Sequence, residues 1–264
     1  MKGTAVVTVA LPSPLASSVA HSQNPPDTKD GSANRPEKPE LCRKCRMVSA
    51  CYPMEHSVAF HSPALGVQRK VARGRALYRA GDPLDNVYLI LAGSAKVRLS
   101  DKCGREQIID FPLPKNLFGF EGMENHIHSC DAVALEDSQV CAVSLRPLLR
   151  RCRQYEPAQR IMSELIAEGL ERSHHLLLAL GSMNSEERIV YFLLDMSKRM
   201  ASIGYSSRQF NLRMTREDIG KHLGMTVETV SRTLSKLHGL KIVEVHHKHI
   251  EINNVSALQA MMLS

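Results

Sequence analysis

The alternation of apolar and polar residues divides the chain into stretches of different period. Between residues 65 and 150 the apolar residues come in short runs punctuated by turns. Ala76-Leu77-Tyr78 leads into a Gly81-Asp82-Pro83 turn, and Val87-Tyr88-Leu89-Ile90-Leu91 is a continuous apolar run. After Gly93, Ala95-Lys96-Val97-Arg98-Leu99 alternates until a turn from Asp101 to Gly104. Many short strands at this spacing predict a β-sandwich or barrel. Beyond about residue 145 the period becomes helical. A helix is predicted from Pro157 to about Gly181, with proline in its first turn and glycine at its end. Ile166, Leu170, Ser173, Leu177 and Leu180 follow one another at steps of four, three, four and three. That spacing makes a coiled-coil seam, the alternative being a helix packed on its own domain. A second helix begins at Asn184, which pairs with Glu187 as a capping box. Ile189, Phe192, Leu193 and Met196 form its apolar face, and Gly204 ends it.

Two short helices follow. Thr215 to Leu223 reads as a helix capped by Thr215, with Asp218 three residues on and Ile219 and Leu223 facing inward. Gly224 makes a turn. Thr226 caps the next helix, which runs to about Leu237 and buries Val227, Val230, Leu234 and Leu237. Glu228, Thr229, Ser231, Arg232 and Ser235 are left facing outward. Two short helices joined across a glycine fit a helix-turn-helix, whose second helix enters the major groove of DNA. The outward residues have the chemistry for reading bases. A carboxylate accepts from the cytosine amino group, a guanidinium forks onto guanine O6 and N7, and a serine hydroxyl meets donor or acceptor edges. The bland alternative, a solvated face with Glu228 and Arg232 as an i,i+4 pair, leaves the whole Thr-x-x-Asp-Ile-Gly-x-x-Leu-Gly-x-Thr frame unexplained. Glu228, Ser231 and Arg232 are therefore the candidate base readers. Thr215, Arg216, Thr226 and Thr229 are the candidate contacts to the DNA backbone. From Lys241 to Glu251 the alternation around His246-His247-Lys248-His249 predicts a hairpin or wing whose cations can touch phosphates.

Composition narrows the class. The 264 residues exceed what one core normally needs. They carry 34 Lys and Arg against 27 Asp and Glu, a net charge of +7 that suits an anionic partner. There is no run of about 20 apolar residues, so no spanning helix is expected. Met1 to Ala20 faintly resembles a secretory signal, but Pro12 and Pro14 interrupt its apolar stretch and Lys2 is a poor charged region. Secretion would also strand a DNA-binding domain outside the cell, so a cytoplasmic protein is expected. Residues 1–40, rich in Pro, Ser, Asn and Ala, are expected to be disordered.

Seven cysteines remain: Cys42, Cys45, Cys51, Cys103, Cys130, Cys141 and Cys152. An odd count in an intracellular chain argues against a disulfide framework. Cys42, Cys45 and Cys51 form a tight thiolate group that suits zinc or an iron–sulfur cluster, both of which want a fourth ligand. Spacing alone does not choose that ligand among Cys103, Cys130, Cys141 and Cys152. From Cys42 to Arg79 there are eight Lys or Arg and one acidic residue, Glu55. Positive charge favours thiolates. A redox Cys-x-x-Cys pair is the alternative, and the βαβ context of a thioredoxin-like enzyme is missing around it.

Taken together, the strand-rich region, the long helix and a helix-turn-helix ending Val227-Glu228-Thr229-Val230-Ser231-Arg232 resemble the CRP/FNR regulators, and within them the oxygen-sensing FNR branch. The resemblance covers about residues 42–264. It implies an α+β fold: a disordered tail (1–41), a cysteine segment with a β-roll sensor domain like those that bind cyclic nucleotides (42–156), a dimerisation helix (157–181) and a winged helix-turn-helix (182–264). Glu228, Ser231 and Arg232 match the FNR-type base-reading set, and Cys42, Cys45 and Cys51 match its cluster motif. The family's fourth ligand lies late in the β-domain, before a strand leading into the connecting helices, which here implies Cys141. The resemblance further implies one oxygen-labile 4Fe–4S cluster per chain, a homodimer on double-stranded palindromic DNA with TTGAT-like half-sites, RNA polymerase as a partner, and no enzymatic activity. Cyclic-nucleotide-binding relatives carry an Arg-Ser pair in a phosphate-binding turn. The corresponding stretch, Phe118 to Ala132, has Ser129-Cys130-Asp131 and no Arg, so cAMP binding is not expected. FNR-type seams often hold an acidic residue at the position of Ser173. Its absence implies a cluster-free form that dimerises more readily.

Overall fold

The computed structural model describes residues 42, 45–51 and 65–262. The predicted tail, its signal-like start, and Arg43, Lys44 and Glu55 lie outside the described residues.

Eight strands follow a short helix, α1 (Val48–Cys51): β1 (Gly66–Val71), β2 (Ala76–Tyr78), β3 (Asn86–Ala92), β4 (Ala95–Ser100), β5 (Glu106–Asp110), β6 (Leu117–Phe118), β7 (Asp131–Ala134) and β8 (Ser138–Ser144). They form two antiparallel four-stranded sheets, in the orders β1-β8-β3-β6 and β2-β7-β4-β5. The continuous apolar run of β3 has a specific cause. Its alternate residues enter two different cores. Tyr88 and Ile90 face the interior between the sheets, while Val87 and Leu89 face outward onto the cysteine segment and the helices. β8 divides in the same way, with Val140 and Ala142 inside and Cys141 and Val143 outside. A sheet covered on both faces cannot show polar alternation.

The helix α2 (Leu145–Gln154) was not expected from the pattern. It carries four arginines, and of its residues Leu145, Leu148 and Arg151 are buried, too narrow an apolar stripe to register. The long helix α3 (Glu156–Ser182) matches its predicted limits to within a residue and spans about 40 Å. α4 (Ser185–Ser202) begins with the predicted Asn184–Glu187 capping box.

The C-terminal region adds β9 (Gln209–Asn211), α5 (Arg216–Leu223), α6 (Val227–Gly239), β10 (Val243–His246), β11 (His249–Ile252) and α7 (Val255–Ala260). The hairpin β10–β11 is the predicted wing. β9, too short to predict, pairs with β11 as its third strand. This region does not stand apart from the β-domain. Ile108, Phe111, Leu113 and Leu135 of the β-domain share one core with Ile219, Leu223 and Leu237 of the helix-turn-helix. Polar bonds surround that shared core. His222 Nδ1 lies 2.9 Å from the Ile108 carbonyl, Gln107 Nε2 donates to the His222 carbonyl at 2.9 Å, and Lys221 Nζ reaches Glu106 at 2.7 Å.

Candidate functional site

The cysteine segment is a tight coil. The Cys45 amide donates to the Cys42 carbonyl at 3.2 Å, Val48 to Cys45 at 3.1 Å and Cys51 to Met47 at 2.9 Å. Met47 and Ala50 are fully buried and pack with Ala158, Met162 and Leu165 of α3, which anchors the segment on the long helix. Cys42, Cys45, Cys51 and Cys141 line one cavity, together with Met47, Val48, Gly66, Leu89, Leu91 and Val143. Cys141 lies within β8 rather than before it, paired with Gln68 of β1 and Leu89 of β3. Gly66 leaves room for its sulfur: a Cβ on residue 66 would lie 2.3 Å from Cys141 Sγ. The other candidates go elsewhere. Cys103 is exposed in the β4–β5 turn, Cys130 is buried inside the β-domain, and Cys152 on α2 donates to Met162 Sδ at 3.4 Å. Among the described residues, no three His, Cys, Asp or Glu side chains converge as ligands of a single ion.

Burial pushes the Cys51 and Cys141 thiols up to about 12, with the charges of neighbouring cysteines adding to the effect. Burial raises Cys45 too. A redox-active Cys-x-x-Cys pair works through a lowered thiol pKa, and Cys45 is shifted the other way. One residue went unnoticed in the sequence. The buried Arg151 of α2 donates through Nη1 to the carbonyls of Ala50 (2.9 Å) and Cys51 (3.2 Å), closing the end of α1. Among several arginines in α2, nothing in the pattern marked it out.

The interior of the β-domain holds a group of aromatic rings. Tyr78 stacks on His128 with ring centroids 3.8 Å apart and on Tyr88 at 5.3 Å, and Phe118 closes the group. The Tyr78 hydroxyl donates to Glu121 at 3.1 Å. In the stretch that lacks the Arg-Ser pair, Asp131 receives two bonds from Arg98 at 3.0 and 2.7 Å.

In the helix-turn-helix, Thr215 and Asp218 form the capping box of α5, and Gly224 ends that helix in the left-handed region at φ 62°. Gly220 is needed for the turn, because a Cβ there would lie 2.6 Å from the Met225 carbonyl oxygen. Thr226 caps α6 by accepting from the Thr229 amide. Glu228 and Arg232 are exposed on α6. Arg216 Nη1 donates to Ser231 Oγ at 3.1 Å, which links a candidate backbone contact to a candidate base reader. Val227, expected to be buried, is 40% exposed, because at the first position of α6 it precedes the contact with α5.

On α3, Leu170 and Leu177 are 54% and 66% exposed and Ile166 is 38% exposed, the profile of an apolar stripe awaiting cover. Ser173 is exposed among them and donates to the Gly169 carbonyl at 3.1 Å. Leu180 departs from the stripe: it is half-buried and packs against the core shared with the helix-turn-helix.

The chain matches two families, the Cyclic nucleotide-binding domain over residues 68–155 and the Crp-like helix-turn-helix domain over residues 187–261. It is 37% identical over 224 residues to the Transcriptional regulatory protein btr of Bordetella pertussis, covering 84% of this chain and 93% of that protein. It is 33% identical over 223 residues to the Fumarate and nitrate reduction regulatory protein of Salmonella typhimurium, covering 83% and 89%. The solved structure of FixK2 from Bradyrhizobium japonicum aligns with a TM-score of 0.68 at 29% identity, over 74% of this chain and 96% of that one. No helix among the described residues is long and apolar enough to cross a membrane. With a β-domain of the nucleotide-binding type, a long connecting helix, a winged helix-turn-helix and relatives that match along most of their length, the chain belongs to the CRP/FNR superfamily as an FNR-type transcription regulator.

Proposed function

We propose that this protein is a cytoplasmic, oxygen-responsive regulator that carries one 4Fe–4S cluster per chain and, as a homodimer under anaerobic conditions, binds palindromic DNA with TTGAT-like half-sites. The observation that carries the reading is the single cavity shared by Cys42, Cys45, Cys51 and Cys141 beside the long helix. A single zinc ion would need its thiolates about 2.3 Å from one point. A 4Fe–4S cube would instead take one thiolate at each iron, and the four cysteines lining the cavity would be the residues to hold it. Bound there, the cluster would supply a centre that oxygen dismantles.

The chain's own residues supply the rest. Arg151 holds the end of the cysteine segment, and Met47 and Ala50 press it onto α3. The stripe of Ile166, Leu170, Ser173 and Leu177 then meets its copy in a second chain. A dimer presents two α6 helices about 34 Å apart, one turn of DNA. Glu228, Ser231 and Arg232 read bases, while Thr215, Arg216, Thr226 and Thr229 hold phosphates. RNA polymerase is the further partner of a regulator so placed. Cyclic AMP is not its ligand: the stretch from Phe118 to Ala132 has no Arg for the phosphate, and Asp131 occupies the Arg98 guanidinium.

Anaerobic purification followed by exposure to air tests this reading. A brown protein with about four irons per chain that bleaches in air supports it. A colourless protein with zinc would leave the DNA-binding function and remove the sensing mechanism. Disulfide reductase activity would replace both with thiol chemistry. Cys141→Ala is expected to abolish cluster retention, and full iron content in that variant would refute the choice of Cys141.

A further inference from the structure

Between Cys45 and the buried Met47, Arg46 turns away from the cavity and reaches α3. Its Nη1 donates to Glu168 Oε2 at 2.7 Å, and its Nη2 lies 3.9 Å from Glu164 Oε2. Glu164 and Glu168 are one helical turn apart. At 100° per residue they point away from Ile166, Leu170, Ser173 and Leu177. Arg46 thus grips α3 on the side opposite its exposed apolar stripe, without obstructing it.

We propose that Arg46 is the positioning residue that couples the cysteine segment to the dimer helix, by neutralising Glu164 and Glu168 together. The inference rests on the functional reading above and adds to it a residue and a physical cause. Two carboxylates at i,i+4 repel each other and weaken a helix, and a cation between them reverses the sign. Among the described residues, Ala158, Met162 and Leu165 of α3 meet Met47 and Ala50, and the Arg46 pair is the charged contact beside them. When residues 45–51 are pinned at the cavity, Arg46 is held over both carboxylates. When the segment is released, Glu164 and Glu168 lose that cation, Glu168 keeping only the more distant charge of Arg172 among the described residues, and the helix loosens just before Ile166 and Leu170. The sensing segment therefore acts on the seam through charge as well as through apolar packing. All three side chains are partly exposed, so one such pair has a modest effect, on the order of a few-fold in an equilibrium constant.

A charge exchange in the full-length protein tests the proposal. Arg46→Glu, Glu168→Arg and the double variant are compared anaerobically by iron content, by sedimentation equilibrium and by amide exchange over residues 45–51 and 156–170. Arg46→Glu places three carboxylates together. It is expected to speed exchange over 156–170 and to weaken the dimer by roughly five-fold. The double variant is expected to return exchange, dimerisation and any lost iron to within about two-fold of the native protein. Unchanged exchange in Arg46→Glu overturns the proposal. So does a defect that Glu168→Arg fails to rescue, because a merely structural role for Arg46 would not be repaired by reversing the charges. Should the native protein carry no iron, the cluster reading fails by itself. Exchange over 156–170 then still decides whether Arg46 holds α3, since that readout needs no cluster.

Discussion

Lys96 Nζ, on β4 of the β-domain, lies 2.5 Å from Asp218 Oδ1, on the first helix of the helix-turn-helix. Asp218 also receives the Thr215 amide at 3.0 Å and the Thr215 hydroxyl at 2.9 Å, while its own amide donates to Thr215 Oγ1. One carboxylate thus caps the helix that carries the DNA-reading unit and ties that unit to the β-domain.

This pair predicts how the protein responds to acid. Burial pushes the Asp218 carboxyl up, but Lys96 and Thr215 outweigh it and hold the pKa below the usual carboxylate range. A carboxyl depressed in the folded state stabilises the protein above its unfolded pKa, about 3.9, and the stabilisation is lost as pH falls through the folded value. Lys96→Ala is therefore expected to cost ~1–3 kcal/mol at neutral pH. The loss should shrink as pH falls toward the folded-state pKa and Asp218 begins to take up its proton. Urea titrations at pH 7 and near pH 3 check this, and a loss equal at both would mean that packing, not charge, joins the domains.

Gly66→Ala forces a Cβ toward a sulfur that would lie 2.3 Å away, so β1 or Cys141 must move. The expected cost is ~1–3 kcal/mol of thermal stability, together with a loss of iron after anaerobic purification. Native iron content in a stable Gly66→Ala protein would place the cluster away from Cys141.

Arg232 and Arg216 are expected to fail differently. Arg232→Ala should lose about 1–3 kcal/mol of discrimination at one base pair of each half-site and leave others unchanged. Arg216→Ala should weaken binding to all sequences alike and reduce the salt slope by about one. Because Arg216 Nη1 bonds Ser231 Oγ, a loss of discrimination in Arg216→Ala would mean that it orients the base-reading serine. Fluorescence anisotropy on operator variants at several salt concentrations separates these outcomes.

Ser173 lies exposed between Leu170 and Leu177. Ser173→Asp is expected to weaken the cluster-free dimer by about ten-fold or more, since a two-fold axis would bring two carboxylates together. Sedimentation of both apo-proteins checks this. A native apo-protein that is already monomeric at micromolar concentration would remove the argument.

Residues close in sequence made much of the protein legible. The Thr215–Asp218 and Asn184–Glu187 boxes, the glycine turn at Gly224 and the limits of α3 all depend on neighbours within one helical turn, and all are found in the structure. Arg151 and Arg46 were not legible, because their importance lies in partners about a hundred or more residues away. Leu180 had the spacing of a seam residue, yet its position beside Gly224 turns it to the internal core.

By itself, then, the sequence determined the helices α3 to α6 and the wing hairpin, the outward set on α6 and the existence of a thiol-rich segment, since periodicity and capping are local properties. It left four choices for the fourth cysteine. Tertiary structure brings Cys141 to the cavity lined by Cys42, Cys45 and Cys51 through strand parity: Cys141 and Val143 share the outer face of β8, while Val140 and Ala142 fill the interior. Which face of a covered strand meets which core depends on the strands and helices around it, and no window of sequence contains them.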